Sequence, residues 1–479
     1  MLKPFKLPDG FLMGSATAAA QIEGGDRNNN WFSWCESGKI KDGTSCLRAN
    51  DHWNRYREDT ELLKDLGHRV YRMGLEWSRI EPENGRFDDS AMSRYRDELM
   101  LFIRSGIRPL VTLHHFSHPL WFCEEGEFES EKAVVYFERY VRYVIEKIGD
   151  IVSEYITINE PNVYVANGYF TGEWPPGKKD IGLAIKVYRN MALCHIAAYK
   201  AIHEIRARMG WDKAACMVSG TNAFAADTVS ETDAFVTDTV IGTDAHAANK
   251  ASRTDAHTAR ACTASRTMVG VANHLRIFDP YSRNPLDFIA AKVMCWLFQG
   301  AIIKSMTTGR LRFPIGFGAP MGSGRYYDFI GINYYSRSAV RFKGFKNDVM
   351  PGTPRNDLDW EIYPEGLYTL CKEFYKKYRA PIWITENGTC DSKDNFRAKY
   401  IYDHLYEISR LCEEGIPVER YYHWTLMDNF EWVEGESARF GLVHVDFETQ
   451  QRTVRKSGRF FSEICRSNSV TDEMISKYL

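Results

Sequence analysis

Eight short apolar runs recur along the 479 residues, each starting apolar and ending in polar or aromatic residues. They are FLMGSAT from Phe11, RVYRMGLEWSRI over residues 69–80, IRPLVTLHH over residues 107–115, YITINEP from Tyr155, MVGVANHLRIF from Met268, YDFIGINYYS from Tyr327, PIWITENG from Pro381 and RYYHWTLMDNF from Arg420. Amphipathic patterns of helical period separate most of them, including residues 59–67 and 131–148. Strands alternating with helices build a parallel sheet, and eight such units can close into a barrel. The length would also accommodate two or three ordinary domains, yet barrels of this kind can exceed ~400 residues. The sequence therefore predicts an α/β chain with a single (β/α)8 barrel over residues 1–479. Its site is expected at the C-terminal ends of the strands, where the polar residues of each run fall.

One region breaks the rhythm. Residues 213–266 are rich in Ala, Thr and Asp and poor in large apolar side chains, and TDA recurs at Thr232, Thr243 and Thr254. Such a segment has little apolar surface to offset its ordering entropy. It is expected to be a low-complexity insertion before the fifth strand, a mobile surface flap. His246 and His257 fall in its repeats, but no spaced Cys or His partners accompany them, so no metal site is predicted.

Charge and composition narrow the function classes. With 61 basic and 63 acidic residues the net charge is -2, which points to neither nucleic acid nor an anionic membrane as partner. No uninterrupted apolar run approaches the ~20 residues of a membrane span, and the N-terminal apolar stretch is too short and too interrupted for a secretory leader. Eleven scattered cysteines without a CxxC pair favour reduced thiols in a cytoplasmic protein. No nucleotide or flavin motif is present, so no cofactor is expected. Aromatic residues make up 14% of the chain, which suits either core packing or a sugar site with rings stacked on sugar faces.

Two of the runs end in glutamate, Glu160 in YITINEP and Glu386 in PIWITENG. One glutamate at a strand end is easily a surface residue. Two of them, each beside an asparagine and facing across a barrel mouth, suit glycosidic cleavage: one protonates the leaving oxygen while the other attacks the anomeric carbon.

The motifs FLMGSATAAAQIEGG, DHWNRY, TLHHF, TINEPN, GINYY, ITENG and WTLMDNFEW occur in that order, and together they resemble the family 1 glycoside hydrolases over nearly the whole chain outside the insertion. That resemblance implies a (β/α)8 barrel acting as a retaining β-glycosidase on a small β-glycoside or oligosaccharide. It implies Glu160 as acid/base and Glu386 as nucleophile, with their carboxyl groups ~5–5.5 Å apart. Arg72 is expected beside Glu386, keeping it ionised, and Tyr335 in hydrogen-bond contact with it. Asn333 should brace the acid/base region and Asn159 bind the sugar 2-hydroxyl. Gln21, His115, Trp424 and Glu431 match a glycone pocket, Trp432 and Phe440 its closure around the 6-position, and Trp360 the aglycone side. His114 should point to the other face of its strand. Glu160 is expected to have a raised pKa from burial and from the charge of Glu386, and to lose it when the glycosyl ester forms.

Phe116 and Ser117 stand where many members have Trp and Asp, and they bear on the pocket wall. Glu431 lies where a phosphate-binding set would be in the 6-phospho-glycosidases, so a non-phosphorylated glycone is expected. The leading reading is an exo-acting β-glucosidase with some β-galactosidase or β-fucosidase activity. A transglycosylase on the same site and a non-catalytic sugar-binding barrel are the alternatives.

Overall fold

The computed structural model describes residues 2–212 and 266–479. Eight parallel strands alternate with eight helices. The strands are β1 (Leu12–Ala16), β2 (Val70–Gly74), β3 (Arg108–Thr112), β4 (Glu154–Asn159), β5 (Met268–Pro280), β6 (Ile330–Arg341), β7 (Ile382–Asn387) and β8 (Val418–Trp424). Each pairs with the next, and β8 closes on β1 through Arg420↔Leu12 and Trp424↔Ala16. The helices are α1 (His52–Asp65), α2 (Asp89–Arg104), α3 (Ala133–Ile148), α4 (Ile181–Arg208), α5 (Pro285–Thr308), α6 (Pro364–Tyr378), α7 (Arg397–Glu413) and α8 (Lys456–Ser467). The predicted barrel is therefore the observed one, strand for strand.

Sequence pattern explains the layers. All six residues of β4 are buried, as expected of a strand covered on both faces. On α3, Phe137, Tyr140, Val141, Val144, Ile145 and Ile148 are buried at spacings of three and four, one stripe against the barrel. His114 points into the helical layer, its ring 5.0 Å from Phe128 and edge-on to Phe137, the outward orientation expected for it.

The predicted insertion lies outside the described residues except for Arg266, and so do His246 and His257. The flanking residues meet at the lower rim of the barrel, where the Thr267 hydroxyl donates to Asp212 at 2.6 Å and Arg206 donates to Thr267 at 2.6 Å. Close ends are what a long insertion requires. They lie beside Ser153 and Met268, at the starts of β4 and β5, away from the strand ends that form the mouth.

Two features rise above the upper rim. β5 and β6 keep pairing past the barrel, through Ile277↔Arg337 to Pro280↔Val340, and a short strand Lys346–Asp348 adds to β6. Beside them α5 has an inverted pattern. Its first half buries Ala290 and Ala291 and exposes Leu286, Phe288, Ile289, Val293, Trp296 and Leu297. Leaving a large apolar side chain in water forgoes roughly 1.5–3 kcal/mol of burial, so this face is conspicuous.

Candidate active site

The turn after β4 fixes Glu160. Its φ is +41°, a left-handed conformation that costs a non-glycine residue roughly 1–3 kcal/mol and occurs most at functional positions. Pro161 at the first position of the helix Pro161–Val165 holds the turn from one side,. From the other, the Glu160 amide donates to Ala272 O of β5 at 2.8 Å. The carboxylate lines a cavity of about 900 Å³ at the C-terminal ends of the strands, and Glu386 lines the same cavity from β7.

One buried hydrogen-bond network ties the two carboxylates together. Arg72, fully buried on β2, donates to Glu386 Oε1 and, at 2.6 Å, to Asn159 Oδ1. Tyr335 donates to Glu386 Oε2 at 2.6 Å. Asn333 donates to Glu160 Oε1 at 2.9 Å and to Asn159 Oδ1 at 3.1 Å, while its own oxygen accepts from Thr385 at 2.7 Å. These donors fix the Asn159 amide, so its nitrogen faces His115 Nε2 at 2.8 Å. That nitrogen of His115 must then accept, which places the ring proton on Nδ1, an atom with no partner among the described residues. Burial holds the His115 pKa well below the usual histidine range, so the ring stays neutral and offers one N–H.

His274 was not identified from the sequence. Its Nδ1 lies 2.9 Å from Glu160 Oε1, and Arg276 Nε donates to its Nε2 at 3.0 Å. An arginine has only donors, so Nε2 accepts and the His274 proton sits on Nδ1, pointing at Glu160. His274 pairs in register with Asn333, and Asn333 with Glu386, so all three stand side by side across β5, β6 and β7. The signal was present: Asn273 and His274 interrupt the fifth apolar run, much as Asn159 and Glu160 end the fourth. Trp174 was also missed, because it lies in a loop after β4. Its ring packs 4.9 Å from Phe116 and 5.8 Å from Trp432.

Burial and the network act on the two carboxylates in opposite senses. Burial pushes Glu386 up to about 7, opposed by Arg72 and reinforced by the charge of Glu160. Burial also acts to raise Glu160, but His274, Asn333 and Arg72 outweigh it and hold Glu160 below the usual carboxylate range. The His274 donor, which the sequence did not reveal, is what favours the ionised form of Glu160 in the free enzyme. Both donors to Glu160 reach Oε1; no described residue donates to Oε2.

The remaining wall is built from residues of several strands and loops. His115, Trp360, Trp424, Glu431, Trp432 and Phe440 line the cavity. Gln21 and Asn159 are fully buried behind it. Gln21 donates to Glu431 Oε2 at 3.2 Å and Trp424 to the same oxygen at 3.4 Å. The Gln21 oxygen has no partner among the described residues. Burial pushes Glu431 up to about 8. Trp360 packs 5.8 Å from Tyr335 and 5.9 Å from Phe440 on the outer side. Phe116 lines the cavity, as expected of the wall, whereas Ser117 turns away to Glu76 at 2.9 Å. Elsewhere His118, Cys123 and Glu127 approach one another, but Glu127 already accepts from Tyr164 and Tyr169.

Comparison with known proteins agrees with this geometry. The sequence model described as Glycosyl hydrolase family 1 matches residues 3–236 and 323–470. The span between, 237–322, which includes β5 and α5, falls outside the match. The chain is 30% identical to beta-glucosidase A of Thermotoga maritima, covering 98% of this chain and 99% of that protein. It is 26% identical to a beta-galactosidase of Saccharolobus solfataricus, covering 98% of this chain and 97% of that protein. A beta-glycosidase structure from Pyrococcus horikoshii superposes with a TM-score of 0.80 at 32% identity, covering 99% of this chain and 98% of that one. By sequence match, by fold and by the arrangement of its paired glutamates, the chain belongs to glycosyl hydrolase family 1.

Proposed function

We propose that the chain is a retaining, exo-acting β-glucosidase that also accepts β-galactosides or β-fucosides. The observation that carries this reading is the pair of buried carboxylates on one cavity, with unlike partners. Glu386 has Arg72 on one oxygen and the Tyr335 hydroxyl on the other. Among the described residues Glu160 has donors on Oε1 only, which leaves Oε2 to give a proton to a leaving group.

Glu386 attacks the anomeric carbon as Glu160 protonates the glycosidic oxygen; the C1–O bond to the aglycone breaks and a glycosyl ester to Glu386 forms. A water then gives its proton to Glu160 and its oxygen to the anomeric carbon, releasing Glu386. The neutral Nδ1–H of His115 and the carboxyl of Glu431 hydrogen-bond the glycone hydroxyls, Gln21 and Asn159 hold those groups in place, and Trp424 stacks beneath the ring. Trp432 and Phe440 close the far side, and Trp360 faces the aglycone. We place the protein in the cytoplasm, a reading supported by nine free cysteines among the described residues.

The test is turnover of aryl β-glucosides by wild type, Glu160→Gln and Glu386→Gln. Both variants are expected to lose turnover, with Glu160→Gln retaining more on an activated aryl leaving group. Near-normal rates for both would refute the assignment.

A further inference from the structure

The aglycone side of the cavity differs from the glycone side, and its class follows from that difference if the glycosidase reading holds. Outward from the carboxylates the wall becomes apolar, through Val163, Ile185, Phe278, Met294, Leu297 and Phe298. At the mouth Phe170, Ile181, Phe313 and Phe345 line the same cavity and are 42% to 65% exposed. The apolar surface continues onto α5, where the Trp296 indole donates to Phe313 O at 2.9 Å. There Leu286, Ile289, Val293 and Trp296 recur at spacings of three and four on the exposed face, the reverse of a helix whose apolar stripe faces its own core.

Charge follows the same rim. From residue 281 to 325 the one acidic residue is Asp287, against Arg283, Lys292, Lys304, Arg310, Arg312 and Arg325. Asp287 is buried and occupied by the Phe342 amide and the Ser282 hydroxyl. Arg283, Lys292 and Arg310, with Lys343 and Lys346 of the neighbouring strand extension, are exposed in a chain whose net charge is -2. Much of this rim, including α5, Phe313 and Phe317, lies in the span outside the family match.

We propose that the aglycone is a long aliphatic chain, and that the enzyme takes glucosylated lipids from the surface of an anionic bilayer. The apolar path lets a tail leave the site without crossing water. An exposed apolar helix face flanked by cations is the pattern of a surface-seated element. By length and composition α5 could cross a membrane. Its Asp287 and Gln299 are instead hydrogen-bonded to the β5–β6 extension, Gln299 through the Arg276 amide at 3.0 Å, so it lies on a surface and does not cross one. This revises the expectation of no membrane partner.

The experiment compares methyl, octyl and aryl β-glucosides, with flotation on vesicles of phosphatidylcholine alone or mixed with phosphatidylglycerol. Methyl and octyl leaving groups have nearly equal basicity, so burying about half of seven added methylenes should raise kcat/KM about 100-fold for octyl. Wild type should float with the mixed vesicles and far less with phosphatidylcholine. The double variant Ile289→Glu/Val293→Glu, outside the cavity wall, should keep aryl-glucoside turnover and lose flotation. Equal rates on methyl and octyl glucosides would overturn the proposal. So would failure of wild type to float, or a dimer in sedimentation that the double variant dissociates, since a second copy would then cover the face. Absence of aryl-glucoside turnover in wild type would instead refute the glycosidase reading.

Discussion

The two ends of β4 each carry a buried glutamate, and their surroundings differ. At the lower rim Glu154 accepts from both terminal nitrogens of Arg420, one of them at 2.7 Å, one on each of its oxygens. Arg420 in turn lies 3.7 Å over the Trp383 ring, which stacks on Phe329. This acid is saturated and faces packed side chains. At the upper rim Glu160 sits in a left-handed turn, takes both its donors on one oxygen and lines an open cavity with the other. Burial alone therefore does not mark a functional acid. The mark is a buried carboxylate left incompletely satisfied and aimed at a space a ligand can fill.

Replacing each acid by its amide should separate the two roles. Glu386→Gln is expected to lower kcat/KM by more than roughly 10⁴-fold, above the usual range for a general acid alone, and Glu160→Gln by roughly 10²–10⁴-fold. Thermal unfolding should change little for Glu160→Gln, whereas Glu386→Gln also strips the buried Arg72 of its carboxylate and should lower Tm,. Glu154→Gln should lose stability and keep activity. Breaking one side of a buried ion pair costs about 3–5 kcal/mol of stability, read as a lowered Tm, with turnover per folded molecule retained. A Glu154→Gln protein that is stable but inactive would collapse the comparison.

A smaller effect concerns the glycone wall. Glu431→Gln should raise KM with less change in kcat, by roughly 1–3 kcal/mol for a buried hydrogen-bond partner lost, measured on glucosides and galactosides in parallel. The smallest expected effect sharpens the electrostatics. His274 and Asn333 favour ionised Glu160. Removing the His274 donor in His274→Asn raises the Glu160 pKa, so the acid keeps its proton to higher pH. The alkaline limb of the kcat/KM profile should then move upward. Because the carboxylates interact, both limbs report the pair, and a downward move would contradict the role given to His274.

The barrel was legible because each strand is short, buried on both faces and ends in polar residues, so run and strand nearly coincide. Glu160, Glu386, Arg72, Tyr335 and Asn333 were legible through motifs, and the structure brings all five into one network. The His274 donor was not, because it depends on a contact with Glu160, 114 positions away. The extension of β5 to Pro280 was not, since it rests on pairing with β6 rather than on local pattern. Nor was the outward face of α5. Asp287, Lys292 and Lys304 interrupt its apolar run in sequence, and only the packing of Ala290 and Ala291 against Val340 and Phe278 of the β5–β6 extension shows which side faces out.

The central claim is that Glu160 and Glu386 divide one double displacement between them. Proton NMR of the sugar released in the first minutes of hydrolysis of an aryl β-glucoside tests it directly, before mutarotation mixes the anomers. The account predicts that β-glucose appears first and α-glucose grows in later. α-Glucose appearing first would mean inversion and would contradict the assignment of Glu386 as nucleophile.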